Sequence, residues 1–266
     1  MSAPIKKQGT LYLVPTPLDF GMDLETAAPP GEWLPAETLA IAGRLTHWIT
    51  ENAKSTRAFL KRVNDVMPLA APLQTQHITE LPRAAHKKGD HAPEAAGDAA
   101  ARALLAPALL GHDVGLISEA GMPAIADPGS SIVRAAHALG LRVVPLTGPV
   151  SLMLALAASG LNGQNFAFVG YVAQEPGERA RRLRELETLA LKTGQTQMFI
   201  ETPYRNTSLL QALLQTLHPH TRLAVCGALT LPQQTCRSAL VSEWKRDQRL
   251  RASLPLDAPS VFLLGR

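Results

Sequence analysis

The sequence predicts an α/β protein of two domains, residues 1–147 and 148–266, and three observations predict it. Short β-rich runs alternate with longer amphipathic stretches for most of the length, the pattern of strand and crossover helix that builds largely parallel sheets. The chain of 266 residues fits two modest domains, and the turn-rich stretch around residues 147–149 divides it into segments of acceptable domain size. Its composition, 46% hydrophobic and 18% charged, is that of a globular protein with a sizeable core.

The first strand is "TLYLV", ending on the turn "PTP". "PAETLAIAGRLTHW" reads as a helix opening on Pro35, since proline is tolerated in a first turn, and "HWIT" reads as a short strand. "STRAFLKRV" is helical with Ser55 as its cap. "RAAHKKGDHAPEAAGDAA" is polar, Ala-rich and basic at its start, read as a surface loop in preference to an RNA patch, and it leads into "EAAGDAAARALLAPALL", a helix broken by Pro107. Strand "VGLIS", a loop, helix "SSIVRAAHALG" closed by Gly140 and strand "LRVVPL" complete the first half.

"TGPVSLMLALAASG" is a turn followed by an apolar helix, and "FAFVGYV" is a strand that starts the second unit. Helix "ERARRLRELETLAL", strand "TQMFIET", helix "RNTSLLQALLQTL" and strand "RLAVCGALT" follow in alternation. A strand around "SALVSEW" and a terminal strand "SVFLLG" close the pattern.

A net charge of +4 and a pI near 9.3 permit an anionic partner such as RNA without requiring one. Cys226 and Cys236 are too few and too far apart for a disulfide framework or a CxxC metal clip. The eight histidines do not cluster with acids at ligand spacing, so no metal is expected; "HPH" at His218 and His220 reads as an exposed helix end. There is no signal-type leader and no long apolar run, which predicts a cytoplasmic chain away from the membrane.

Phosphate loop, HExxH, GxSxG and GxGxxG signatures are all absent. What remains is three strand-to-turn junctions: "VPTP", "SEAGMPAIADPG" and "LTGPVS". In α/β sheets ligands sit beyond the carboxyl ends of strands, and such loops offer unpaired N–H groups. The stretch "GLISEAGMPAIADPG" holds three glycines, three alanines and two prolines, so its chemistry is that of backbone shape. Residue chemistry alone reaches an α/β protein with a small-molecule cleft.

"GTLYLVPTPL", "GLISEAGMPAIADPGSSIVRAAHALGLRVVPLTGPVSLMLALAASGL" and "MFIETPYRNTSLLQAL" together resemble the tetrapyrrole-methylase superfamily of S-adenosylmethionine-dependent methyltransferases. The nearest branch is the bacterial small-subunit ribosomal RNA 2′-O-ribose methyltransferases. The middle block is the specific one, with S-[DE]-A-G-x-P-x-I-x-D-P-G and then R-V-V-P-L-x-G-P in order. The resemblance runs from about Gly9 to Glu201 and Arg205, fades, and returns at "PSVFLLG".

This resemblance implies two α/β domains of the tetrapyrrole-methylase type, S-adenosyl-L-methionine in the cleft between them, and a homodimer. Carried over by position, the donor would be bound by Pro15 and Thr16, by Ser118, Glu119, Ala120, Gly121, Met122 and Ile125, and by Val150 and Ser151. Phe168, Ala228, Ala258 and Pro259 would add to it from the second domain, while Glu51, Glu201 and Arg205 are the candidate catalytic side chains. RNA or the small ribosomal subunit is the implied partner.

The acceptor side departs from the pattern. "PTPLDFGMDLE" lacks the Gly-Asn pair of "PTPIGNL"; "TENAKSTR" keeps Glu51 but puts Asn52 where "AEDTR" has an acid; "GALTLPQQT" loses the charges of "RELTKxxE". Two other readings therefore stay open: a methyltransferase for a small molecule such as a tetrapyrrole, and a donor-binding paralogue without catalysis. Arg179, Arg181, Arg182 and Arg184 could grip phosphates or simply solvate the outer face of a helix buried along Leu183, Leu186 and Ala190. Glu201 is either a catalytic helper or a partner for Arg205.

Overall fold

The computed structural model describes residues 7–19, 28–82 and 95–266. The chain divides into two compact units, Met1–Pro149 and Val150–Arg266. The loop expected from Arg83 and the stretch from Phe20 that departs from "PTPIGNL" fall largely outside the described residues.

In the first unit, β1 (Thr10–Val14), β2 (His47–Thr50), β3 (His77–Glu80), β4 (Val114–Ile117) and β5 (Arg142–Pro145) form one sheet in the order β3-β2-β4-β1-β5. Every pairing in it is parallel. Helices α1 (Ala36–Arg44), α2 (Ala53–Val66), α3 (Ala95–Leu104), α4 (Ala106–Leu109) and α5 (Ser130–Ala138) supply the connections. Alternate strand residues feed two cores: Tyr12, Trp48 and Ile117 pack with Leu39 and Leu60, while Leu11, Ile49 and Leu116 pack with Leu105, Ile132 and Ala136. A parallel sheet buried on both faces reads in sequence as continuous apolar strands, as "TLYLV" does.

The second unit carries α6 (Ser151–Ser159), β6 (Phe166–Tyr171), α7 (Pro176–Thr193), β7 (Thr196–Glu201), α8 (Pro203–Thr216), β8 (Arg222–Gly227), β9 (Thr235–Leu240), α9 (Val241–Arg246), α10 (Gln248–Ala252) and β10 (Ser260–Gly265). Its sheet order is β6-β7-β10-β8-β9. Leu183, Leu186 and Ala190 of α7 are buried with Phe199, Phe262, Leu209, Leu213 and Trp244. The Trp244 Nε1–H donates to the Leu223 carbonyl at 2.9 Å.

The expectation of largely parallel strands holds for the first sheet and fails for the second. There only β6 and β7 run parallel; β10 is antiparallel to both β7 and β8, and β8 to β9. The link between β8 and β9 is too short for a crossover helix, so the chain must turn straight back. "SALVSEW" is likewise split, strand up to Leu240 and helix from Val241, where the Glu243 carboxylate accepts the Leu240 N–H at 2.8 Å.

The helix opening on Pro35 stops at Arg44, with Leu45 extended, so "HWIT" is strand alone. The cap of α2 is Asn52 and not Ser55: the Asn52 Oδ1 accepts the Lys54 and Ser55 N–H groups. Strand β3 was not foreseen. It is a mostly exposed edge strand with no apolar alternation to announce it.

Cys226 and Cys236 are free thiols that stand opposite each other across β8 and β9. Among the described residues, no helix is long and apolar enough to cross a membrane and no group of His, Cys, Asp or Glu is placed to hold a metal ion.

Candidate functional site

In each unit most of the candidate residues collect at one end of the sheet. In the first, β2, β4 and β1 are parallel neighbours in close register, so their carboxyl ends finish together. Pro15 and Thr16 leave β1, Glu51 and Asn52 leave β2, and Ser118 leaves β4.

These loops are tied by main-chain bonds. Thr16 N–H donates to the Gly121 carbonyl at 2.9 Å, and Gly121 N–H returns to the Thr16 carbonyl at 3.1 Å. Gly121 sits at φ +78°, where a side chain is strained, and a Cβ there would stand 3.0 Å from Leu18. The Ser118 hydroxyl lies 3.5 Å from the Gly121 carbonyl and the Thr16 hydroxyl 3.4 Å from the Ser118 carbonyl.

The third junction closes on the first. A Cβ on Gly148 would lie 2.3 Å from Pro15 Cγ, so only glycine allows the two loops to touch. The Thr38 hydroxyl holds the Thr147 carbonyl at 2.8 Å. Val150 then caps α6 and Ser151 opens it, with no side chain bonding the first turn.

Asn52 joins β2 to the loop after β4, because its Nδ2 donates to Glu119 Oε1 at 3.0 Å while its Oδ1 caps α2. Ala120 and Met122 are half-buried and Ile125 is exposed. The loop then passes through Ala124 and Ala126, both in the left-handed region at φ 66° and 64°. Between them and Gly129 lies Asp127, whose pKa burial raises to about 6 against a partly compensating bond from the Ser118 hydroxyl; the nearby Glu119 charge pushes it up further. Asp127 was visible within the quoted loop but was not singled out, since nothing in a sequence distinguishes a desolvated carboxylate from a turn-forming one.

In the second unit, Ser260 at the start of β10 pairs with both Glu201 and Gly227, which brings three loop ends to one edge. Ala228, buried at φ 52°, donates its N–H to the Pro259 carbonyl at 3.0 Å. The buried Asn206 Nδ2 holds the Leu256 and Ala258 carbonyls at 3.0 and 2.9 Å. Phe168 lies half-buried within β6, opposite Met198.

Glu201 is almost wholly buried, and its Oε1 accepts the Thr202 N–H at 2.8 Å and Arg205 Nη2 at 2.6 Å. The hydrogen bond to Glu201 comes first among the causes that raise the Arg205 pKa, so this guanidinium stays charged. On α7, Arg179 reaches the Ser208 hydroxyl at 3.4 Å and Arg182 pairs with Glu185 at 3.3 Å, while Arg181 and Arg184 are exposed.

The chain is similar in sequence and in fold to known proteins. Over 133 residues the chain is 36% identical to the ribosomal RNA small subunit methyltransferase I of Pseudomonas aeruginosa, covering 50% of this chain and 46% of that protein. The chain therefore matches about half the length of that relative. The protein of the same name from Halalkalibacterium halodurans is 27% identical over 252 residues, 94% of this chain and 75% of the relative. The fold is shared with uroporphyrin-III C-methyl transferase from Thermus thermophilus complexed with S-adenyl homocysteine, at a TM-score of 0.50 and 18% identity over 97% of this chain and 98% of that one. The model of the tetrapyrrole (corrin/porphyrin) methylases matches residues 48–244, most of the chain and the span that holds β4, its tied loop and the Glu201–Arg205 pair, and the chain belongs to that family.

Proposed function

We propose that this protein is an S-adenosyl-L-methionine-dependent methyltransferase acting on RNA, in the manner of the ribosomal RNA 2′-O-ribose methyltransferases. The observation that carries the reading is the loop after β4. It is held by the paired bonds between Thr16 and Gly121, small at Ala120 and Gly121, and left-handed at Gly121, Ala124 and Ala126. Family membership supports the reaction class, and the names of the relatives favour RNA over a tetrapyrrole as acceptor.

The proposed place for an adenosyl donor is beside this loop, whose shape depends on Gly121: its φ of +78° favours glycine, and a Cβ there would press on Leu18. In the first unit, Pro15, Thr16, Ser118, Glu119, Ala120, Gly121, Met122 and Ile125 are the proposed donor-binding residues. Val150, Ser151, Phe168, Ala228, Ala258 and Pro259 are those of the second. When bound, the donor supplies a methyl group already activated by a sulfonium.

The chain's own task is to hold the acceptor in line and keep water out, worth about 7–11 kcal/mol where alignment is good. A ribose hydroxyl must also lose its proton, for which Glu51 is the proposed acceptor. Arg205, kept charged by Glu201, is the proposed anchor for an anionic acceptor. The reading includes a cytoplasmic homodimer and no metal.

The test is twofold. Calorimetry should show binding of S-adenosylmethionine and S-adenosylhomocysteine, and tritiated donor should label RNA in small ribosomal subunits and not a tetrapyrrole. Absence of donor binding would sink the reading. Binding without transfer to either acceptor would mark the chain as a donor-binding paralogue, the role that Asn52 in place of an acid would suit.

A further inference from the structure

The chain has two cysteines, and the second sheet brings them together. Cys226 lies in β8 and Cys236 in β9, and the antiparallel register makes them direct partners. Val225 with Arg237 on one side and Gly227 with Thr235 on the other keep the same register, so the pairing runs unbroken through this point. Their spacing in sequence excludes a CxxC clip, yet the sheet closes the gap.

Directly opposite residues of an antiparallel pair point to the same face, with Cα atoms about 4.5–5.5 Å apart. A disulfide joins cysteines whose Cα atoms are about 4.4–6.8 Å apart, so this register lies within bridging range. No sliding of one strand along the other is needed.

The two thiols differ in their surroundings. Cys226 is buried, and its thiol donates to the Ala155 carbonyl of α6 at 3.7 Å. Burial first, and then the Cys236 thiol beside it, push the Cys226 thiol up, so it stays protonated and unreactive by itself. Cys236 is partly exposed and belongs to β9, the edge strand of its sheet. One thiol can therefore meet a reagent from solvent while the other waits at its side.

We infer that Cys236 and Cys226 are a modification site, closed into an intrachain disulfide by a soluble disulfide such as oxidised glutathione, and that the bond fastens the edge strand β9 to β8. The Cys236 thiolate attacks one glutathione sulfur and breaks the S–S bond, leaving a mixed disulfide and releasing one glutathione. Cys226 then loses its proton and attacks Cys236 Sγ, which expels the second glutathione. Two protein thiols are oxidised, one glutathione disulfide is reduced, and the two protons leave on the two glutathione thiols. In a reducing medium the pair stays open, and intracellular pairs that close and reopen act as redox sensors. The site stands apart from methyl transfer, because none of the proposed donor-binding or catalytic residues takes part.

Peptide mapping and intact mass of the native full chain, before and after oxidised glutathione, test the inference. Oxidation should remove both free thiols and two hydrogens, yield one peptide pair joined through Cys226 and Cys236, and be reversed by dithiothreitol. Amide hydrogen exchange in β9 should slow in the oxidised protein and return on reduction. In Cys236→Ser, glutathione should leave both Cys226 and the exchange of β9 unchanged.

A lasting glutathione adduct on Cys236 with Cys226 still free would overturn the site. A disulfide between two copies of the chain, or thiols that react only after unfolding, would do the same. A bond that forms without slowing exchange in β9 would overturn the fastening of the edge strand.

Discussion

Glu201 and Arg205 face each other across one turn, the last residue of β7 and the third of α8, with Arg205 Nη2 2.6 Å from Glu201 Oε1. The same carboxylate oxygen takes the Thr202 N–H, so a single buried group holds both the main chain just before the helix and the guanidinium. Glu201→Gln should lower unfolding stability by about 2 kcal/mol by denaturant titration. This is less than the 3–5 kcal/mol for breaking a fully buried pair, because Arg205 keeps part of its surface in water. An unchanged midpoint would mean that the pair contributes nothing to holding the strand end.

Asp127 should make stability depend on pH in the opposite direction to a salt-bridged carboxylate. Its folded pKa, about 6, lies above the ordinary value of 3.8. The folded state therefore binds the proton more strongly, and the contribution is fully present below pH 3.8 and lost as pH rises through 6. Asp127→Asn keeps the shape without the charge. It should be more stable than wild type at pH 8 by up to about 3 kcal/mol, with the gain gone near pH 4. Parallel curves for the two proteins across that window would refute the assignment.

Asn52→Ala removes the cap of α2 and the bond to Glu119 together. A loss of about 1 kcal/mol is expected for the cap alone. Asn52→Ser keeps a capping oxygen but not the Glu119 contact, so it should recover most of the stability. If the two variants melt at the same temperature, the helix start is not what Asn52 contributes.

Ala124 and Ala126 hold left-handed conformations that cost a non-glycine residue about 1–2 kcal/mol. Ala126→Gly relieves that strain against about 0.4–1 kcal/mol of added chain entropy in the unfolded state. The expected result is a net gain of about 0.5–1 kcal/mol. A destabilised variant would show that the alanine methyl makes contacts worth more than the strain.

The parallel first sheet was legible at β1 and β4, which are largely buried and end on Gly- and Pro-rich turns. The patterning of the α7 stripe at Leu183, Leu186 and Ala190 was equally plain. What sequence could not carry was pairing between distant segments. β3 has no apolar signature, and the direction of β10 depends on partners far away in the chain. The loop of Ser118 and Gly121 was marked by its composition, whereas the bonds from Thr16 and Asn52 that shape it join residues over sixty positions apart.

The last strand described, Ser260–Gly265, lies at the middle of its sheet, between β7 and β8. During synthesis β7 and β8 therefore emerge without the neighbour that joins them, whereas every strand of the first sheet has appeared by Pro145. The sheet of the first unit can thus be completed early in synthesis, while that of the second stays incomplete until Ser260–Gly265 has been made. Deletion of this strand should leave two half-sheets with bare edges, a state prone to clumping, rather than a slightly shortened fold.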